Sequence, residues 1–202
     1  MDHLINLEKI INSELTTKIK SSKIKFGQIY LNINHEDLLE CITFLKTNNK
    51  TKFQQLIDIT AVDYPNNKDR FKMVYLFLSH EFNTRIIIDF WINENEIINS
   101  ITEIYPSSNW MEREVFDMYG IKFTNHPDLR RILTDYDFVG HPLRKDFPLT
   151  GFTQVKFDDE LGKVISEPVK LEQEYRTFDN LSPWEGMSKI LPGDEKSEKL
   201  DD

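Results

Sequence analysis

Cysteine occurs once in these 202 residues, at Cys41. One thiol cannot close an intramolecular disulfide or supply the four thiolates an iron–sulfur cluster normally takes, so a redox centre held by this chain alone is not expected. Long apolar runs are also missing. The stretch from Ile86 to Ile92 is interrupted by Asp89 and falls far short of the ~20 residues that span a bilayer, so membrane association is expected only through partners. The first ten residues lack the basic start and apolar core of a signal peptide and the Arg-rich character of a transit peptide, which predicts a chain kept on the cytosolic side. Positive charge is short as well: 25 bases face 34 acids, a net charge of −9, where nucleic-acid binding asks first for a basic face. No GxGxxG, GxxxxGK[ST] or GxSxG run exists, which moves weight from enzyme to subunit.

Glycine and proline are nearly absent from residues 1–119, which hold Gly27, Pro65 and Pro106 alone, while the last 83 residues hold six of each. The first part therefore reads as regular elements and the second as extended, irregular chain. Arginine is scarce too, 7 against 18 lysines, in a chain with 22 Ile, 15 Asn and one Ala, the bias of an AT-rich genome. Five of those arginines lie between Arg113 and Arg176. Where lysine is the default, such a cluster points to positions that need a planar, bidentate guanidinium.

What is present in the first part is periodicity. Leu4, Leu7, Ile11, Leu15 and Ile19 predict an amphipathic helix over residues 4–20. A short strand follows at Gln28–Ile33, then a helix from His35 to Lys46 with Asn34 as its N-cap. Residues 53–62 read as a strand and Pro65–Asp69 as a turn. Phe71–Ser79 and Thr84–Ile92, rich in aromatic and β-branched residues, predict an antiparallel hairpin. Ile97, Ile98, Ile101 and Ile104 predict a helix from Glu94 to Ile104. Another runs from about Ser108 to Tyr119, closed by Gly120 as a left-handed C-cap. The fold class expected is α+β, with helices packed on a mixed or antiparallel sheet, in a domain of residues 1–135 followed by an extended, partner-wrapping tail at 136–202.

After Gly120 the prolines forbid a long helix, yet Leu129, Ile132, Leu133, Tyr136, Phe138, Phe147, Phe152, Phe157, Tyr175, Phe178 and Trp184 are too many large apolar residues for a disordered linker. An extended but sticky chain has a surface to lie on, and a second protein is the simplest one. Amides beyond about Gly140 are expected to be poorly protected in the free chain, and the acidic last ten residues mobile.

Among residues able to carry chemistry, Glu112, Arg113, Glu114 and Asp117 crowd the last predicted helix. Arg113 and Asp117, four apart, can pair on one face. A solvated charged face is the bland reading and a paired-carboxylate acid/base site the sharp one, with no sign of a pocket to separate the pKa values. His126 and His141 each precede proline, but they are fifteen apart with no third ligand at recognisable spacing, so both read as structural histidines. Arg130, Arg131, Arg144 and Asp146 read as members of Arg–carboxylate pairs buried between chains.

The run from Glu112 to Gly151, with Glu112-Arg113-Glu114, then Asp117, Tyr119 and Gly120, then the stretch from His126 through Asp128 to Leu133, then the stretch from Gly140 through His141 to Leu149, resembles the C-subunit family of proton-pumping NADH:quinone oxidoreductase, respiratory complex I. Glu167-Pro168, the stretch from Gln173 through Arg176 to Phe178, and Pro183-Trp184 resemble that family's tail. Asp137 departs from the pattern, which commonly has Gly there. The resemblance implies a peripheral-arm subunit without its own flavin or cluster, FMN and iron–sulfur clusters lying in partner subunits. It implies the D and B subunits as the chief partners, a tail wrapped around the D subunit, a role in assembly with no catalytic residue, and a location on the cytoplasmic face of a bacterial inner membrane, or the matrix face if mitochondrial. The alternatives are the equivalent subunit of a membrane-bound hydrogenase complex and a stand-alone carboxylate-based enzyme.

Overall fold

The computed structural model describes residues 2–170. Arg176, Tyr175, Phe178, Trp184 and the acidic terminus lie outside the described residues. Those described fall in two compact units, divided between Phe152 and Thr153.

The first unit is built on a mixed five-stranded sheet, as the fold class predicts. Its strands are β1 (Ile19–Lys25), β2 (Gln28–Ile33), β3 (Gln55–Asp63), β4 (Phe71–Ser79) and β5 (Thr84–Ile92), in the order β1-β2-β5-β4-β3. β2 and β5 are parallel, and the other neighbours are antiparallel. β4 and β5 form the expected hairpin, paired from Phe71↔Ile92 to Ser79↔Thr84. Strict alternation places Phe71, Met73, Tyr75 and Phe77 of β4, and Ile86, Ile88, Phe90 and Ile92 of β5, on one buried face. Leu31 pairs Ile88, and Ile59 pairs Tyr75, so the outer strands add to the same face. In β3 a bulge between Leu56 and Asp58 lets Ile57 turn outward and keeps both Leu56 and Ile59 inward.

Helices α1 (Asp2–Glu14), α2 (Leu38–Thr47) and α3 (Ser108–Tyr119) share one core with that face. Leu7, Ile11 and Leu15 supply the stripe of α1, Leu38, Cys41, Ile42 and Leu45 that of α2, and Val115 that of α3. Burial pushes the Cys41 thiol up to about 11, so it packs as a small hydrophobe.

Two expected helices are corrected. The first ends at Glu14 rather than residue 20, and Ile19 opens β1. The four-residue step from Leu15 to Ile19 mimics a helical stripe, but β1 is a polar edge strand whose Lys and Ser residues hide it from an apolar pattern. Its turn to β2 places Phe26 and Gly27 at φ of 51° and 72°, the double left-handed geometry of a tight hairpin. The second, Glu94 to Ile104, is not a helix. Asn93–Glu96 is a turn in which the Asn93 and Glu96 side chains accept backbone N–H groups. Ile97–Asn99 is strand β6, parallel to β7 (Lys122–Thr124). Ile98 and Ile101 are both buried, one from the strand and one from the next turn, so a spacing of three is met without a helix. Asn34 does precede α2, through a short 3₁₀ turn, but its side chain bonds that of Asp37 and not a backbone N–H.

The second unit contains strands β8 (Thr153–Asp158) and β9 (Lys163–Pro168), an antiparallel hairpin where irregular chain was expected. Asp158 Oδ1 accepts the N–H groups of Glu160 and Leu161 in its turn.

Candidate functional site

The charged residues of α3 converge on the chain that follows it. The helix ends at Gly120, φ +80°, whose N–H bonds Phe116 O. A Cβ there would lie 2.6 Å from His141 Nε2 and 2.7 Å from Arg144 Nη2. The expected C-cap glycine is therefore required by backbone conformation and by the two side chains pressed against it.

Neither a solvated charged face nor an Arg113–Asp117 pair is found. Glu112 and Asp117 are fully buried. Asp117 pairs with Arg131, at 2.7 Å, and its Oδ1 also accepts the Thr134 hydroxyl. Its Oδ2 accepts the backbone N–H groups of Ile132, Leu133 and Thr134 at 3.1, 2.8 and 2.9 Å. Burial alone would raise its pKa, yet these donors hold the carboxyl down to about 2. Arg113 instead donates to the carbonyls of Arg130 and Arg131. Arg131 also donates to Gly140 O, and His141 Nδ1 donates to Asp117 O at 2.8 Å. Burial, helped by Arg144 and Arg131, pulls the His141 pKa down.

Glu112 faces the other way. Its carboxylate accepts Ser100 Oγ at 2.6 Å and the Ile101 N–H at 2.8 Å, fastening α3 to the turn after β6. Burial raises its pKa, and the Ser100 and Ile101 donors oppose that. His126 Nε2 lies 3.9 Å from it and 3.1 Å from Asn109 O. Because His126 Nδ1 accepts the Asp128 N–H, the geometry assigns its ring proton to Nε2. His126 thus ties the chain after β7 to α3, and among the described residues no His, Cys, Asp and Glu group has the arrangement to hold a metal.

A second knot ties the chain beyond Gly140 to the strands. Arg70 holds Asp63 bidentately at 2.7 and 2.9 Å and reaches Asp146 at 3.0 Å. Arg70 beside Asp63 keeps that carboxyl below the usual carboxylate range. Asp63 also accepts the Lys145 N–H at 2.7 Å. Arg144 donates to Tyr119 O at 2.6 Å and pairs with Glu94. Phe71 has both the Arg70 and the Arg144 guanidinium over its ring and meets Tyr119 edge-on.

These contacts correct the expectation of inter-chain pairs for Arg131 and Arg144, which bond inside the chain, while Asp146 reaches Arg70 and stays more than half exposed. Among the described residues Arg130 pairs with Asp128 alone, both more than half exposed, a contact worth little. Asp137 sits exposed in a turn and is not among the residues at positive φ, so aspartate is accommodated there without strain.

Sequence reasoning missed Asp63, Arg70, Glu94 and Thr134. Two left a signal: Asp63 is a charge in the inward phase of β3, and Arg70 is an arginine where this chain defaults to lysine.

One cleft opens beside this assembly, between α3 and the bonded loop. It has a volume of about 780 Å³ and is lined by Trp110, Met111, Glu114, Ile132 and Leu133 among others.

The family described as respiratory-chain NADH dehydrogenase, 30 Kd subunit, matches residues 31–153, from the end of β2 through β3, β4 and β5 to the whole of this assembly. The chain is similar to the C subunit of NADH-quinone oxidoreductase from Ruegeria pomeroyi, at 53% identity over 89% of this chain and 90% of that one. It is similar to the Mesorhizobium japonicum protein of the same name at 46% identity over 96% of each. A chain from the structure of the membrane-bound sulfane sulfur reductase, an archaeal respiratory membrane complex, shares the fold at a TM-score of 0.63 and 23% identity, over 71% of this chain and 85% of that chain. By the family match and the length and level of these identities, the chain belongs to the respiratory-chain NADH dehydrogenase 30 Kd subunit family, the C-subunit family of NADH-quinone oxidoreductase.

Proposed function

We propose that this chain is a non-catalytic scaffold in the peripheral arm of NADH:quinone oxidoreductase. It holds the quinone-module subunits together, chiefly the D and B subunits, while electrons pass from NADH through FMN and iron–sulfur clusters of partner subunits to quinone, coupled to proton translocation. The observation that carries the reading is the state of Asp117. Five donors saturate its carboxylate, and Glu112 is likewise committed to Ser100 and Ile101. A general acid or base needs a lone pair or proton free for substrate, and these buried carboxylates spend theirs on shaping the chain.

The same reading assigns residues 1–135 to the body and 136–202 to a partner-wrapping tail. The first part of that tail lies on the body through His141, Arg144 and Asp146, while Tyr136, Val139 and Leu149 are 79%, 77% and 83% exposed and offer apolar contacts outward. No helix among the described residues is long and apolar enough to cross a membrane. The chain would therefore join the membrane through the complex, at its cytoplasmic face or, in a mitochondrion, its matrix face.

A chain truncated after Asp135 is expected to lose binding to the D subunit in a pull-down. Unchanged binding would contradict the wrapping role. In membranes carrying motif variants, NADH:quinone activity should fall in proportion to the complex assembled, with the quinone KM unchanged. A changed KM in fully assembled complex would contradict the non-catalytic role.

A further inference from the structure

We infer that the cleft between α3 and the loop at Ile132–Leu133 is a docking pocket for a neighbouring subunit's segment that presents an apolar side chain flanked by arginine or lysine. The inference rests on the chain's being one subunit among several.

Both walls are rigid. One is α3 itself, whose Val115 is buried in the core while Trp110 stands 70% exposed on the outer side. The other is the loop, whose Ile132 and Leu133 N–H groups are both bonded to Asp117 and whose preceding carbonyls are clamped by Arg113. Leu133 is nevertheless 61% exposed. A loop pinned so thoroughly by its backbone, yet turning Leu133 out beside an exposed Trp, is pre-organised to receive something. Exposed aromatic anchors on rigid walls are where binding energy concentrates, because little conformational entropy is lost when they are covered.

Charge identifies the kind of partner. Glu114 is the charged side chain among the cleft's lining residues, and it has no ion-pair partner among the described residues. A shallower cleft shares Pro106 and Asn109 with it and adds Glu103. A largely apolar cleft carrying one unpaired carboxylate, Glu114, selects a segment with an apolar anchor beside a base.

The test places a photo-crosslinking benzoylphenylalanine at position 110 of the chain, in complex purified from native membranes. The expected result is an adduct to one other subunit, in a peptide with Arg or Lys within a few residues of the linked side chain. Leu133, on the opposite wall, provides a second labelling site should the first variant fail to assemble, and it should give the same peptide. In competition with wild-type chain, Glu114→Lys should reduce incorporation about tenfold, and reversing the partner's base to Glu should restore it. An adduct to residues 171–202 of the same chain, to a second copy or to lipid, or no adduct from either position, would overturn the inference. If the chain co-purifies with the complex and neither position links, the pocket fails while the subunit reading stands. If wild-type chain does not co-purify, the subunit reading itself fails.

Discussion

The carboxylate of Asp117, near the end of α3, and the guanidinium of Arg131, fourteen positions later, meet at 2.7 Å with no part of the carboxylate exposed. Around that pair the chain after Gly120 is folded back on the helix, each backbone N–H from Ile132 to Thr134 pointing at one oxygen. The carboxylate does for this loop what a capping side chain does for a helix end.

Asp117→Asn keeps the shape and loses the charge. It leaves the partly buried Arg131 without its counter-ion and aims an NH₂ at groups that themselves donate. The expected cost is about 3 kcal/mol in urea unfolding, as for one partner of a buried pair removed.

The pH dependence has a definite sign. The Asp117 pKa in the folded chain, about 2, is depressed below the ordinary aspartate value of about 3.9. Its stabilisation, about 3 kcal/mol, is therefore complete above that ordinary value and lost as pH falls through about 2. Acid unfolding followed between those limits should show the loss in wild type, and Asp117→Asn should flatten it.

Glu112 should behave in the opposite way. Its pKa is raised by burial, so its contribution is fully present below the ordinary glutamate range and lost as pH rises through the folded-state value. Glu112→Gln can still accept the Ile101 N–H and can donate to Ser100 Oγ, so near neutrality it is expected to stay within about 1 kcal/mol of wild type. Glu112→Ala leaves those partners unmet and should cost about 3 kcal/mol. Denaturation of the two variants side by side makes the comparison.

Gly120→Ala combines a left-handed φ with a Cβ pressed on His141 and Arg144. A loss of at least about 2 kcal/mol is expected, with faster amide exchange in the segment from His141 to Phe147. A melting temperature equal to wild type would show that the close approach does not exist.

Much of this fold was legible because its strongest elements repeat. Nine residues of β4 alternate without a break, and α3 runs from its apolar stripe straight to a C-cap glycine. The misreadings share one cause: isoleucine at steps of three or four looks helical even when a strand and a turn supply the two positions, as Ile98 and Ile101 do. β1 escaped notice because an edge strand of Ser and Lys has little apolar signal. The site was half legible. The density of Arg and carboxylate marked Glu112, Asp117, Arg131 and Arg144, but an i, i+4 rule pairs Asp117 with Arg113, whereas the true partner arrives across a loop that has no periodicity. The bonds drawn inside the chain also change the expectation for residues beyond Gly140. The N–H groups of Leu143 and Lys145 bond Met118 O and Asp63, which predicts protection there.

Amide hydrogen exchange of the isolated full-length chain tests the central claim, that the buried carboxylate of α3 folds the following loop onto the helix within this chain. The account predicts slow exchange at Ile132, Leu133 and Thr134 in wild type and loss of that protection in Asp117→Ala, with β4 and β5 still protected. Fast exchange at those three amides in wild type, or protection unchanged by the substitution, would contradict it.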